Sequence, residues 1–366
     1  MGKNAHGQGN GPGGCWLVGA APLQFWLNGP LWVTFIDHIL PPAGLHVTMK
    51  PGKNDILRVR EVIGPYVHRT PVYTCQALNR ITGSELFFKC ENFQKGGAFK
   101  FRGASHAVMT LSPEDAKRGV ATHSSGNHAQ ALSLAARMRG IQAHIVMPET
   151  APGIKVAAVE SYGGQITFCR PTLTDREATL ERIIKETGAV EVHPYNDYRI
   201  IAGQATAAAE LLEECKNMDC LITPVGGGGL LSGSILSTIY FSEVTKVYGA
   251  EPEQANDAWQ SFREKKLIPV RNPQTIADGL RTSLGSRTFP IIMDGAEDIL
   301  TTSEARIIEA MQLIWERMKI IVEPSAAVPL AAILDHPDVF TGKKTGVVLS
   351  GGNVDLHRLP WSEQVS

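Results

Sequence analysis

The sequence predicts an α/β protein with two open, mostly parallel sheets that are flanked by helices. Short apolar runs of strand length alternate with longer Ala-rich segments of helical length through most of the chain. Strands that are apolar throughout are typical of parallel sheets covered by helices on both faces. The chain has 366 residues, of which 43% are hydrophobic, and is therefore long enough to bury a core in two lobes.

The predicted elements can be placed one by one. The strands are ELFFKC at 85–90, GVATHS at 119–124, QAHIVMP at 142–148, GQITFC at 164–169, CLITPV at 220–225, KVYGAE at 246–251 and TGVVLS at 345–350. The main helices lie at 128–140, 204–215 and 304–318. We expect a large domain of residues 54–118 plus 197–357, a small domain of residues 119–196, and a tail of residues 358–366.

The N-terminal segment differs from the rest, because Lys3 and Asp37 are the only charged residues among residues 1–48. Prolines, an asparagine and Asp37 interrupt its apolar stretch before it reaches the ~18 residues that span a bilayer. It also lacks the basic leader and cleavage site of a signal peptide. We expect residues 1–53 to be a poorly ordered extension, or the product of a start codon assigned too early, with Met49 as the true start.

Charge and cysteine usage exclude several classes of protein. The chain carries 35 basic and 36 acidic residues, a formal net charge of −1, so nucleic acid and anionic membranes are not expected as partners. Its six cysteines form no CxxC pair and no zinc or disulfide pattern. We expect them to be mostly reduced core residues, which favours a cytoplasmic location.

Lys100 is the first candidate catalytic residue, in the segment KGGAFKFRGA. Phe99 and Phe101 flank it, and a partly apolar pocket lowers the pKa of a lysine, which Schiff-base chemistry requires. Composition alone favours a solvated lysine at a helix start, so this interpretation depends on the other motifs.

Two further motifs follow a predicted strand and precede a helix, where free main-chain N–H groups bind anions. PVGGGGLLSG places four consecutive glycines at 226–229 and suits a phosphate, without the pattern of a nucleoside triphosphate or NAD site. THSSGNHAQ at 122–130 suits a carboxylate. The alternatives are a flexible turn for the first motif and helix capping by Ser124 or Ser125 for the second.

Two weaker candidates remain. Ser350 follows the last strand, at the carboxyl end where ligands of parallel sheets bind, although a simple turn is the alternative. Glu251 and Asp257 flank Ala255, and two carboxylates with a main-chain carbonyl can hold Mg²⁺ or Ca²⁺. On spacing alone, a solvated loop is favoured there.

Together and in this order, the motifs resemble the fold-type II (tryptophan synthase β-like) pyridoxal-phosphate enzymes, and within them the serine racemase and serine/threonine dehydratase family. The resemblance is greatest to plant-type serine racemases and their bacterial relatives. It runs from about Asp55 to Leu356 and is carried by FQKGGAFKFRGA, THSSGNHAQALSLAA, HPYNDYRIIAGQ, PVGGGGLLSG, TIADGL, EPSAA and VLSGGNVDL.

The resemblance implies a role for each matching residue. Lys100 binds pyridoxal 5'-phosphate and removes the Cα proton, and Ser125 acts on the opposite face. The other cofactor contacts are Phe99, Asn127, Gly226, Gly227, Gly228, Gly229 and Ser350. The substrate carboxylate is bound by Ser124, Ser125, Asn127 and His128, and the divalent cation by Glu251, Ala255 and Asp257.

The activity implied by the resemblance is an ammonia-lyase that converts L-serine- or L-threonine-type hydroxy amino acids to a 2-oxo acid and ammonia, with serine racemase activity. One alternative is a threo-3-hydroxyaspartate dehydratase, in which Arg176 binds the second carboxylate; an exposed helix arginine is the other interpretation of Arg176. An alternative of another class is a non-catalytic amino-acid-binding regulator. The resemblance also implies a homodimer and leaves open a nucleotide activator. Ala98, Ala205 and Ala326 depart from frequent family residues and put substrate preference in doubt.

Overall fold

The computed structural model describes residues 49–151 and 153–361, so the prediction of a poorly ordered extension at residues 1–53 lies outside the described residues except at 49–53, where a helix already begins at Lys53. Its larger sheet has six strands in the order β1-β2-β10-β7-β8-β9, all parallel except β1, which pairs antiparallel with β2. The bounds are Val72–Tyr73 (β1), Glu85–Cys90 (β2), Cys220–Pro224 (β7), Lys246–Pro252 (β8), Asp298–Thr302 (β9) and Lys344–Leu349 (β10).

The smaller sheet has four parallel strands in the order β5-β4-β3-β6. They are Val120–His123 (β3), Ala143–Pro148 (β4), Gln165–Cys169 (β5) and Val190–Glu191 (β6). The strands of this sheet form one continuous stretch of sequence, which interrupts the strands of the larger sheet. The exact domain boundaries expected from the sequence stay a prediction.

The helices of the described residues connect and cover these strands. They are Lys53–Ile63 (α1), Gln76–Thr82 (α2), Lys100–Met109 (α3), Pro113–Arg118 (α4), Asn127–Arg139 (α5), Gly153–Ser161 (α6), Leu173–Thr187 (α7), Tyr198–Glu214 (α8), Gly229–Phe241 (α9), Asp257–Glu264 (α10), Thr288–Gly295 (α11), Glu304–Met318 (α12), Pro324–Asp335 (α13) and Pro337–Phe340 (α14). Within the described ranges, no helix combines the length and apolar character needed to cross a membrane.

Both sheets are covered on both faces, which confirms the predicted α/β architecture. Apolar residues of α12 and α13 pack with β2, β7 and β10 in one core, and those of α8, α9 and α11 form a second core of the larger sheet. In the smaller sheet, α3 and α5 share a core with β3 and β4, while α7 packs with the same two strands in another. Burial of the strands explains why they are apolar throughout.

The order of the strands brings distant segments together. β2, β10 and β7 are neighbours, and the parallel strands of one sheet end at the same edge. The segments that follow them therefore meet, and they contain Lys100, Ser350 and the glycines of 226–229. This is the edge at which ligands of open parallel sheets bind.

The cysteine prediction is confirmed in part. All five cysteines of the described residues are free, and Cys90, Cys169 and Cys220 are buried. Cys75 and Cys215 are only half-buried. None of them belongs to the site described below.

Candidate active site

The segment before α3 is bound to the segment that follows β10. The Phe99 N–H donates to the Ser350 carbonyl at 3.0 Å, and the Gly352 N–H donates to the Gly97 carbonyl at 2.9 Å. Ala98 forms an isolated β-bridge with Gly351. Lys100, the first residue of α3, is therefore held beside the carboxyl end of β10.

The amine of Lys100 lies in a desolvated position. Its Nζ donates to the Pro194 carbonyl at 2.8 Å and lies 5.3 Å from the centre of the Phe99 ring. Burial lowers the pKa of Lys100 to about 8, although the nearby Glu323 opposes this shift. A lysine with a lowered pKa supplies the neutral amine that carbonyl condensation and proton removal need.

The four glycines of 226–229 connect β7 to α9 in a tight loop. A side chain at Gly227 would overlap the Tyr195 ring, and Gly228 has φ = +86°, in the left-handed region that favours glycine. A Cβ at Gly226 would lie 3.0 Å from the Gly279 carbonyl oxygen. Because the loop opens onto the N-terminus of α9, its geometry fits a phosphate group.

Ser350 offers a polar group for the rest of the cofactor. It is buried at the end of β10, with 3% of its surface exposed. Among the described residues, none is hydrogen-bonded to its hydroxyl. A hydroxyl in this position suits the nitrogen of a neutral pyridine ring, so the lysine, the glycine loop and the serine together fit pyridoxal phosphate.

The side-chain amide of Asn127 is fixed at both ends. Its Nδ2 donates to Glu323 Oε1 at 2.8 Å, and its Oδ1 accepts from Asn353 Nδ2 at 3.0 Å. Burial raises the pKa of Glu323 to about 8, as does the charge of Asp278, against the opposing hydrogen bond from Asn127. Sequence reasoning did not assign Glu323 a role, although the segment EPSAA that contains it was among the motifs.

The loop between β3 and α5 contains the two serines predicted to bind a carboxylate. Neither serine caps α5, because the helix begins at Asn127 with Gly126 in the capping position and no side-chain cap. The alternative of ordinary helix capping is therefore wrong. Ser124 Oγ accepts from the Gly126 N–H at 3.4 Å, and Ser125 is half-buried.

The imidazole of His128 is buried in the first turn of α5. Its Nε2 lies 3.0 Å from the Val192 carbonyl, and burial lowers its pKa to about 3, helped by the charge of Lys100. The imidazole is therefore neutral. The contact of His128 with a substrate carboxylate stays a prediction.

The segment 193–196 lines the site, although none of its residues was predicted from the sequence to do so. His193 Nδ1 accepts from the Asn196 N–H at 2.9 Å, and its ring packs edge-on against Tyr195, with ring centres 4.6 Å apart. Burial lowers the pKa of His193 to about 4, so this ring is neutral. The same segment provides the carbonyl that binds Lys100 and the ring that covers the glycine loop. The motif HPYND was its only signal in the sequence.

Arg176 is in the first turn of α7, and its Nε donates to the Thr172 carbonyl at 3.3 Å. It lies close enough to His123 that its charge, after burial, lowers the pKa of that imidazole. His123 directly precedes Ser124 in the predicted carboxylate loop. It is half-buried rather than fully exposed.

The candidate cation site contains two buried carboxylates. Glu251 accepts from the Trp259 N–H at 2.5 Å, and Asp257 accepts from the Leu284 N–H at 3.3 Å. Burial raises the pKa of both carboxyl groups, and the charge of Asp257 raises that of Glu251 further. No cluster of three or more His, Cys, Asp or Glu occurs in the part of the chain that the structure describes. A cation would therefore need the Ala255 carbonyl and water as well.

The fold and the residues at the carboxyl edge of its larger sheet define the class of vitamin B6-dependent enzymes. The family model of pyridoxal-phosphate dependent enzymes matches residues 63–351, and the chain belongs to this family. This confirms the fold class and the cofactor predicted from the sequence.

Relatives extend the similarity over nearly the whole described chain. A beta-hydroxyaspartate dehydratase of Paracoccus denitrificans is 50% identical, with 85% of this chain and 99% of the relative covered. A serine racemase of Arabidopsis thaliana is also 50% identical, with 83% and 95% covered. The crystal structure of serine racemase from Dictyostelium discoideum has a TM-score of 0.80 and 45% identity, with 84% of this chain and 100% of that chain covered. These relatives favour an enzyme over a non-catalytic regulator.

Proposed function

We propose that this protein is an ammonia-lyase that converts L-serine- or L-threonine-type hydroxy amino acids into a 2-oxo acid and ammonia, and that it also racemises serine. The observation that carries this proposal is the half-buried amine of Lys100, which binds the segment 193–196 that also covers the glycine loop, and which follows the segment bound to Ser350. Such an amine combines covalent binding of a carbonyl cofactor with removal of a proton.

Each predicted cofactor contact has a distinct task. Lys100 would bind the cofactor covalently, and the main-chain N–H groups of Gly226 to Gly229 would hold its phosphate. Ser350 would bind the pyridine nitrogen, and the Asn127 amide, which is hydrogen-bonded to Glu323, would bind the phenolic oxygen. When bound, pyridoxal phosphate supplies an electron sink that stabilises negative charge at the substrate Cα.

The protein residues then move the protons. The neutral amine of Lys100 would take the Cα proton, and the bond from Cβ to the hydroxyl oxygen would break as that oxygen takes up a proton and leaves as water. The dehydrated product would tautomerise to an imine, which water hydrolyses to a 2-oxo acid and ammonia. In racemisation, the Ser125 hydroxyl would give its proton to the opposite face of Cα and regain one from solvent, so elimination and inversion share Lys100 and differ in Ser125. The half-buried position of Ser125 supports this role.

The test is a substrate panel with the purified chain. L-serine and L-threonine should release ammonia with pyruvate and 2-oxobutanoate, and chiral chromatography should detect D-serine formed from L-serine. Lys100→Ala is the control for background turnover. Absence of both ammonia and D-serine from the wild-type protein would refute the proposal.

Arg176 favours a second candidate, a dehydratase of threo-3-hydroxyaspartate. A guanidinium beside the carboxylate loop can pair with the second carboxylate of that substrate. Replacement by methionine should lower kcat/KM for hydroxyaspartate by about 10²-fold and that for L-serine much less. Arg182→Met, on the exposed part of α7, is the matched control. An equal loss for both substrates would contradict a role in selectivity.

We also propose that Glu251, Asp257 and the Ala255 carbonyl hold Mg²⁺ or Ca²⁺. Two buried carboxylates with raised pKa values support this proposal, because a cation would offset their mutual repulsion. Chelation should lower the Tm of the wild-type protein and leave that of Asp257→Asn unchanged. A wild-type Tm that neither the chelator nor added Mg²⁺ changes would exclude the cation site.

The homodimer and the nucleotide activator stay predictions of the family resemblance, and the cytoplasmic location stays a prediction from cysteine usage. Sedimentation measures the first of them directly. Titration of the lyase rate with a nucleoside triphosphate measures the second.

A further inference from the structure

A cluster of four charged side chains is buried next to the candidate active site. The Arg102 guanidinium binds Glu91 through Nε and Nη2, at 2.7 and 2.8 Å, and Glu210 through Nη1 and Nη2, both at 2.8 Å. Lys89 Nζ donates to Glu210 at 2.7 Å. The side chains of Arg102, Glu91 and Lys89 are fully buried, and that of Glu210 is 9% exposed.

Stability alone is a poor explanation for this cluster. Removing ions from water costs several kcal/mol each, and apolar residues of similar volume often replace a buried ion pair without loss of stability. What the paired charges provide is fixed geometry, because a guanidinium binds carboxylates in two-pronged, planar contacts. Burial lowers the pKa of Arg102, but Glu91 and Glu210 more than reverse this, so the group stays charged.

The cluster joins α3 to three other segments. Glu91 directly follows β2, Glu210 and Thr206 belong to α8, and the Thr70 hydroxyl donates to Glu91 at 2.5 Å. Arg102 Nη1 also donates to Thr206 Oγ1 at 3.1 Å. The position of α3 is therefore tied to the larger sheet and to the helix behind it.

The backbones of α3 and α8 are in contact at Gly103, the residue that follows Arg102. A Cβ at Gly203 would lie 2.5 Å from the Gly103 Cα, and the Gly103 N–H donates to Gln204 Oε1 at 3.2 Å. Backbone contact of this kind leaves no room for α3 to slide or rotate towards α8. The first turn of α3 is consequently held by the ion pairs of Arg102 on one side and by backbone contact with α8 on the other.

Lys100 lies in this same turn, two residues before Arg102, and its amine reaches the Pro194 carbonyl from there. We propose that Arg102 is a positioning residue, whose bonds to Glu91 and Glu210 hold α3 where Lys100 meets both the cofactor and Pro194. This inference rests on the proposed role of Lys100. Arg102 acts through the backbone, because its charge is neutralised by its own carboxylate partners.

The structure provides a matched control in Arg139, the last residue of α5, which contacts the other end of α3. Arg139 secures the other end of α3, where it donates to the Val108 carbonyl and, at 2.7 Å, to the Leu111 carbonyl. Arg102→Lys and Arg139→Lys both keep the charge and lose the planar fork. Both should lower the Tm, but only Arg102→Lys should disturb Lys100.

The experiment measures cofactor binding and spectrum rather than turnover alone. Equilibrium dialysis of the purified holoenzyme against graded pyridoxal phosphate gives Kd, and a pH titration of the cofactor absorbance gives its midpoint. Arg102→Lys should raise Kd about tenfold, equivalent to ~1.4 kcal/mol, and shift the midpoint, while Arg139→Lys should leave both unchanged. A Tm loss without a change in Kd or midpoint would show that Arg102 is merely structural and overturn the inference.

Thr206→Val is the second variant, for the case in which Arg102→Lys does not fold. It removes one hydrogen bond of the guanidinium and no charge, and should raise Kd in the same direction by a smaller factor. An unchanged Kd overturns the inference in this variant too. If the wild-type chain itself shows no lysine-linked cofactor absorbance, the proposed function fails and the inference fails with it.

Discussion

The Glu323→Gln substitution tests the electrostatics of the site without removing a hydrogen-bond acceptor. The carbonyl oxygen of the substituted amide side chain can still accept from Asn127 Nδ2, which lies 2.8 Å from the carboxylate in the native protein. What the substitution removes is the titratable proton of the Glu323 carboxyl group. Glu323 is buried, with 4% of its surface exposed, and its pKa is raised from 4.5 to about 8 by burial and by the charge of Asp278.

The sign of the effect follows from proton binding in the two states. Between pH 4.5 and about 8, native Glu323 keeps its proton while the unfolded chain releases it. The native state then binds more protons, so this residue makes the free energy of unfolding fall as pH rises through that window. The free energy of unfolding of the glutamine variant lacks this fall. The difference in that free energy, variant minus wild type, should therefore be about a few kcal/mol larger at pH 8 than at pH 4.5.

Urea unfolding at a series of pH values measures this difference directly. Glu186→Gln, which removes an exposed carboxylate of α7, is the control and should follow the wild-type curve. A glutamine variant whose stability tracks the wild type at every pH would refute the reasoning. It would show that Glu323 is ionised in the native protein, so that the charge of Lys155, the Asn127 amide and the Asn353 N–H outweigh burial.

Three further substitutions test the remaining parts of the site. Lys100→Met should abolish turnover and the lysine-linked cofactor absorbance while keeping the native circular dichroism, because it removes the amine and preserves its apolar stem; a lysine-linked band that persists would contradict the assignment. Ser125→Ala should remove D-serine formation but retain part of the ammonia release, and a proportional loss of both would argue against a separate role. Gly227→Ala should lower the free energy of unfolding by about 1–3 kcal/mol and weaken cofactor binding, because the new methyl group overlaps the Tyr195 ring. Gly153→Ala, where no heavy atom lies within 4 Å of the added methyl, should behave like the wild type, and equal effects of the two changes would exclude the steric argument.

The strands that were predicted from the sequence are those with a continuous apolar signal. ELFFKC forms a strand with the predicted bounds, Glu85–Cys90, and the other six predicted strands are present to within two residues at either end. The missed strands lack that signal: β1 and β6 contain two residues each, and DILTT of β9 mixes polar and apolar residues. β9 forms because β8 offers it a partner along its full length, and no local pattern records this.

The residues of the candidate site likewise divide into those with a local sequence motif and those without one. Lys100, the glycine loop and Ser350 follow strands in recognisable motifs, so the sequence predicts a role for them, and that role stays a prediction. Glu323 was missed because its partner Asn127 is 196 residues away in the chain.

By itself, the sequence determined the α/β class and, through the family resemblance, the cofactor. The class depends on local patterns, since apolar runs form buried strands, and so does the predicted phosphate loop, since consecutive glycines leave main-chain N–H groups free for an anion. Only the tertiary structure decided that the Lys100 amine meets the Pro194 carbonyl, that Glu323 orients Asn127, and that Arg102 is held between two acids. Such contacts depend on the order of strands in the sheets, which brings distant residues together and removes water from the charges between them.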